Sequence, residues 1–130
     1  MLTVTAIYAA VFAIFAVLLG SRVGSLRLKT NVSLGDAGNP ELIVANRRHL
    51  NFLENVPMIL ILMACLELNG ASPIWLHGLG GVLFVARIIH PFGLEVEQMR
   101  RLARFIGATL TLLVTLTAAG KLLWMAFGNG

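Results

Sequence analysis

Four apolar blocks, Leu2 to Leu19, Leu50 to Leu68, Ile74 to Leu94 and Phe105 to Phe127, occupy most of this 130-residue chain. Each is close to the ~20 residues that an α-helix needs to cross ~30 Å of hydrocarbon. The chain is 58% hydrophobic and only 12% charged, a composition outside that of soluble domains. These features predict an all-α, integral membrane four-helix bundle, with helices over about residues 2–21, 42–69, 73–94 and 103–127. What remains is one longer loop and two short connections, so residues 1–130 read as a single transmembrane domain.

The formal charge of +4 would point to nucleic acid if the basic residues were clustered and interleaved with aromatics. They are instead sorted by loop. Arg22, Arg27, Lys29, Arg47 and Arg48 lie between the first two blocks, and Arg100, Arg101 and Arg104 precede the last. The turn from Asn69 to Pro73 has none. By the positive-inside rule, segments 22–48 and 95–104 face the cytoplasm, and both termini lie on the other side. The first block is not preceded by Lys or Arg, so it reads as a retained helix rather than a signal peptide. A single cysteine, Cys65, excludes an internal disulfide, and its apolar setting fits a buried, inert thiol.

Gly20-Ser-Arg-Val-Gly24 reads as the end of the first helix, and Asn31 to Pro40, dense in Gly, Asn and Asp, as the extended loop. Pro40 followed by Glu41 suits a helix start. Asn69-Gly70 and Ser72-Pro73 mark a stop and a restart that make the second and third helices an antiparallel hairpin.

The residues able to carry chemistry concentrate in Arg47-Arg48-His49-Leu50-Asn51-Phe52-Leu53-Glu54-Asn55-Val56-Pro57. Arg47, Asn51 and Glu54 stand at i, i+4 and i+7 and share one helical face within about 40°. Glu54 lies roughly 10 Å below Arg47, where an unpaired carboxylate is costly, so it requires a cationic partner. One candidate is Arg87 of the third helix or a neighbouring subunit, acting only to tie helices together. The other is a ligand that carries both carboxylate and ammonium groups, such as an amino acid or short peptide, held by Arg, Asn and Glu in turn. Arg87 and His90, three residues apart, add a second polar pair at a similar depth. Metal-ligand, nucleophile-elbow and P-loop patterns are absent from the sequence, which predicts no metal site.

The ordered set of Gly35-Asp36-x-Gly38, Arg47-x-His49-x-Asn51-x-x-Glu54-x-x-Pro57, Glu67-x-Asn69-Gly70 and Arg87-x-x-His90-x-x-Gly93 resembles the MAPEG family, the membrane-associated proteins in eicosanoid and glutathione metabolism, and closest its small bacterial members. The resemblance covers nearly the whole chain. It implies a homotrimer in a bacterial inner membrane, with glutathione as co-substrate bound between subunits on the cytoplasmic side. A hydrophobic small-molecule substrate would enter from the bilayer. Arg47, Asn51 and Glu54 match the family's glutathione contacts, and His49 the position that reaches an adjacent subunit's site. His90, Arg27, Arg87 and Arg104 are further glutathione-binding candidates. Arg101 best matches the arginine that activates the thiol, with Arg100 and Arg104 as rivals. Asn55 and Leu94 depart from the pattern, because several catalytic members have tyrosines there.

The resemblance implies a glutathione transferase or glutathione-dependent peroxidase acting on hydrophobic electrophiles. A non-catalytic scaffold of the same fold that binds glutathione or lipid is the alternative. A four-helix exporter is disfavoured, since such proteins place an acidic residue in the first span and this chain has no charge there.

Overall fold

The computed structural model describes residues 1–93 and 102–128. Among them are four helices and no strand: α1 (Val4–Thr30), α2 (Pro40–Leu68), α3 (Pro73–Phe92) and α4 (Leu102–Phe127). All four are long and apolar enough to cross a membrane. α2 packs against the other three helices and α3 does the same, whereas α1 and α4 do not pack together. The bundle is therefore a four-cornered array in which α1 and α4 stand at opposite corners, with α2 and α3 meeting across the other diagonal.

The main core runs through this array, from Phe12 of α1 through Phe52, Val56, Ile59 and Met63 of α2 to Leu76, Leu79 and Leu83 of α3 and Val114 and Ala118 of α4. Phe12 and Phe15 both meet the Phe52 ring, at centroid distances of 6.0 and 5.3 Å and steep interplanar angles, the edge-to-face geometry that aromatic quadrupoles favour. Close approach of α1 and α3 depends on Gly80, because a Cβ there would fall on the Tyr8 ring. The Tyr8 hydroxyl donates to the His77 carbonyl at 3.1 Å, so its polar tip is satisfied beside that contact.

α1 departs from its expected end at residue 21. It continues to Thr30 and stops at Asn31, which adopts a left-handed conformation (φ 56°) and donates its backbone N–H to the Arg27 carbonyl. The physical reason is a second, smaller core. Val23 and Leu26 are buried against Leu42 and Ala45 of α2, so the apolar periodicity persists past the glycines, and Gly20 and Gly24 lie inside the helix. Segment 22–48 is accordingly mostly helical, and the connecting loop shrinks to Asn31–Asn39. α2 opens at Pro40, where the Asn39 side chain accepts from the Leu42 N–H at 3.0 Å.

At 1.5 Å per residue, α1 and α2 are roughly 40 Å long and α3 about 30 Å, so the α1–α2 hairpin extends about 10 Å farther at the end that carries most of the basic residues. At the other end, the Glu67 carboxylate accepts from the backbone N–H groups of Thr3, Val4 and Thr5 at 2.6 to 2.8 Å. It fastens the start of α1 to the end of α2 by satisfying donors that a helix N-terminus leaves unpaired. Lys121, near the end of α4, lies 4.0 Å from the centroid of the Trp124 ring, which supports its charge close to the membrane boundary.

Candidate functional site

Pro40 starts α2 early enough that Arg47, Asn51 and Glu54 all fall within one helix and share a face. The Arg47 guanidinium reaches the Glu54 carboxylate at 3.8 Å, with 55% and 54% of the two side chains exposed. Glu54 is thus paired along its own helix, and the candidate tie between Glu54 and Arg87 is not formed. At that distance and exposure the ion pair contributes little to stability. Both charges remain open to a partner outside the chain.

Arg87 is 3% exposed. One of its nitrogens donates to Asn51 Oδ1 at 3.0 Å, and another reaches the Gly107 carbonyl at 3.3 Å and the Thr111 hydroxyl. Its Nε has no hydrogen-bond partner. No carboxylate among the described residues pairs with it. A buried guanidinium in a spanning helix, supported only by neutral acceptors, leaves a net positive charge inside the bundle. That charge borders a cavity of about 200 Å³ lined by Asn51, Asn55, Arg87, His90, Thr111 and Thr115, with Ala108 and Leu112 completing the wall. His90 is 5% exposed and packs tightly on Gly107, where a Cβ would strike the histidine backbone and the Ala86 carbonyl.

The other candidates are distributed around this centre. His49 packs over Gly20 of α1 in the same chain, with its Nε2 3.3 Å from where a Gly20 Cβ would sit. Arg27 is engaged by the loop, donating to the carbonyls of Val32, Ser33 and Gly35 at 3.0 to 3.4 Å. Arg104 lies half-buried in the first turn of α4, its backbone pressed against Gly93. Arg100, Arg101 and Leu94 lie outside the described residues. No group of three or more His, Cys, Asp or Glu side chains able to hold a metal ion occurs among the described residues.

Two features escaped the sequence reading. Gly107, Thr111 and Thr115 form an i, i+4, i+8 stripe on α4 in which the two threonines line the polar cavity and the Gly107 carbonyl accepts from Arg87, and this spacing was the available signal. Arg22, Glu41 and Arg48 rim a larger, mainly apolar groove of about 640 Å³ between the inner parts of α1 and α2 and the end of α3. Arg22 and Glu41 are 3.7 Å apart there. The polar groups converge in the smaller cavity, whereas the larger groove is mainly apolar.

Four spanning helices around a core that holds a buried arginine, a histidine and two asparagines define a multi-pass membrane protein with a polar site inside its bundle. The chain belongs to the MAPEG family, whose family model matches residues 5–124. It is similar to inner membrane protein YecN of Escherichia coli strain K12, with 33% identity over 121 residues that cover 93% of this chain and 91% of that protein. YecN of Escherichia coli O6:H1 strain CFT073 gives the same identity and coverage. No solved structure matches the chain. Four spans and these relatives make it a multi-pass inner membrane protein.

Proposed function

We propose that this protein is a glutathione-dependent membrane enzyme, a transferase or peroxidase that turns the glutathione thiol on hydrophobic electrophiles. The observation that carries the reading is the half-exposed Arg47–Glu54 pair on a spanning helix, continuous through Asn51 with the buried Arg87 cavity. A cation, an amide and an anion in a row complement a molecule with carboxylates at its ends, peptide bonds between and one ammonium group, which describes glutathione.

Two charged side chains open at the flank of a spanning helix are costly against lipid, which favours a second copy of the chain covering this face. A homotrimer with glutathione held between protomers satisfies that demand. The thiol anion is then stabilised by an arginine from the segment 100–104. Arg101 is the residue to which the family pattern gives this role, with Arg100 and Arg104 as rivals.

A non-catalytic binding protein is the second reading, and a specific observation favours it. Asn55 stands where several catalytic relatives carry tyrosine, and its amide nitrogen is engaged by the Asn51 backbone carbonyl at 2.8 Å. That leaves no phenolic hydroxyl at this position. The two readings separate when protein purified in detergent is titrated with glutathione and then assayed for conjugation of a generic aryl halide. Binding with turnover supports the enzyme, binding alone supports a glutathione-binding scaffold, and no binding rejects both of these and leaves a scaffold that binds lipid.

A further inference from the structure

We propose that Arg87 is a positioning residue that holds Asn51 with its amide NH2 turned to the ligand, so that Asn51 recognises a hydrogen-bond acceptor, a carboxylate or carbonyl oxygen, rather than an ammonium group. This rests on the glutathione reading above. The two oxygen and nitrogen ends of an asparagine amide are alike in shape, and what distinguishes them is the chemistry of the partner. Here the partner decides. A guanidinium has donors only, so the atom of Asn51 that meets Arg87 at 3.0 Å is its oxygen. The two N–H donors of the same amide are thereby left over, at a residue that lines the polar cavity and shares a helical face with Arg47 and Glu54.

Arg87 itself cannot turn away easily. It is 3% exposed, and its second nitrogen is occupied by Thr111 and the Gly107 carbonyl of α4. The Thr111 hydroxyl in turn donates to the Gly107 carbonyl at 2.7 Å, which fixes its lone pairs toward Arg87. The guanidinium is thus clamped on α4 and reaches across to α2, and a rigid donor is what an orienting role requires. With no carboxylate among the described residues to offset it, its charge also polarises the Asn51 amide in the sense that strengthens the exposed N–H groups as donors.

The experiment is calorimetric titration of the purified protein with glutathione, alongside thermal unfolding in the same detergent, for wild type, Asn51→Asp, Arg87→Met and Arg87→Gln. Asn51→Asp keeps an acceptor for Arg87 but removes both N–H donors. It is expected to hold or raise the unfolding temperature and to lose glutathione affinity at least tenfold. Arg87→Met is expected to lose about tenfold, and Arg87→Gln, which still donates to Asn51 Oδ1, to recover part of that loss. Equal losses in Arg87→Met and Arg87→Gln overturn the orienting role in favour of a purely electrostatic one. Wild-type affinity in Asn51→Asp or Arg87→Met overturns it in favour of a packing role. If Arg87→Met does not fold, affinity in Asn51→Asp and Arg87→Gln decides, with a loss of at least tenfold in the first and a smaller loss in the second as the expected pair and any other pattern overturning the proposal. A wild type that binds no glutathione rejects the glutathione reading and this inference with it, whereas binding unaffected by these variants rejects this inference alone.

Discussion

Arg47 and Glu54, two turns apart on α2, face each other at 3.8 Å while more than half of each side chain stays exposed. An ion pair of that geometry adds at most about 1 kcal/mol to stability. Replacing either residue is therefore expected to leave the fold and the proposed oligomer intact. Glutathione affinity should fall in Glu54→Gln and in Arg47→Ala by roughly one to two decades, the equivalent of one charge-assisted hydrogen bond of about 1.5–3 kcal/mol. Calorimetry and size-exclusion chromatography on the same samples check this. Dissociation of the oligomer without a selective loss of affinity would assign the pair to helix packing instead.

Glu67 accepts three backbone N–H groups at the start of α1, and no other acceptor for them is found among the described residues. Glu67→Ala returns these donors to water at the membrane boundary, which should cost about 1 kcal/mol, as for the loss of a helix cap. A fall of a few degrees in unfolding temperature, with faster hydrogen exchange at Thr3, Val4 and Thr5, is the expected result. Unchanged exchange at those amides would show that the clip does not hold α1.

Gly80 is the point where α3 meets the Tyr8 ring. Gly80→Ala forces α1 and α3 apart or turns the ring out of its place, an overpacking change that costs typically 1–3 kcal/mol. Trimming the obstacle should restore what the methyl group removes, so Tyr8→Ala combined with Gly80→Ala is expected to be less destabilised than the sum of the two single changes. Strict additivity in thermal unfolding would contradict the contact.

By the positive-inside rule, the basic residues on the α1–α2 hairpin and before α4 predict that these segments face the cytoplasm and both termini lie opposite. A reporter active only in the cytoplasm should be silent when fused after Gly130 and active when inserted after Gly35. The reverse pattern would invert the topology and move the polar site to the other face of the membrane.

Arg101, outside the described residues, is expected to lower the pKa of bound glutathione's thiol. A free thiol near pKa 8.5 is only a few per cent thiolate at neutral pH. Lowering it by about two pH units takes roughly 2.7 kcal/mol, within reach of one partly desolvated guanidinium. The ultraviolet thiolate band on adding glutathione should appear in the wild type and fade in Arg101→Ala. If the variant keeps both the band and turnover, the role passes to Arg104, Arg100 or His90.

The sequence by itself determined the membrane class, the four spans and the Arg47, Asn51 and Glu54 face, because each follows from local rules: the length of an apolar run, the sorting of charge between loops and the 100° step of a helix. It did not determine where α1 ends, since Val23 and Leu26 continue the helix only by packing on Leu42 and Ala45, residues of another helix. Nor did it decide the partners of the charges. Arg87 of α3 was a candidate for Glu54, and the array of the bundle turned it instead to Asn51, Gly107 and Thr111, leaving Glu54 with Arg47 of its own helix. Glu67 likewise reads as an ordinary residue near a helix end until α1 is placed against it. Such choices belong to tertiary structure because a hydrogen bond depends on distance and direction across helices, and periodicity along one helix carries neither.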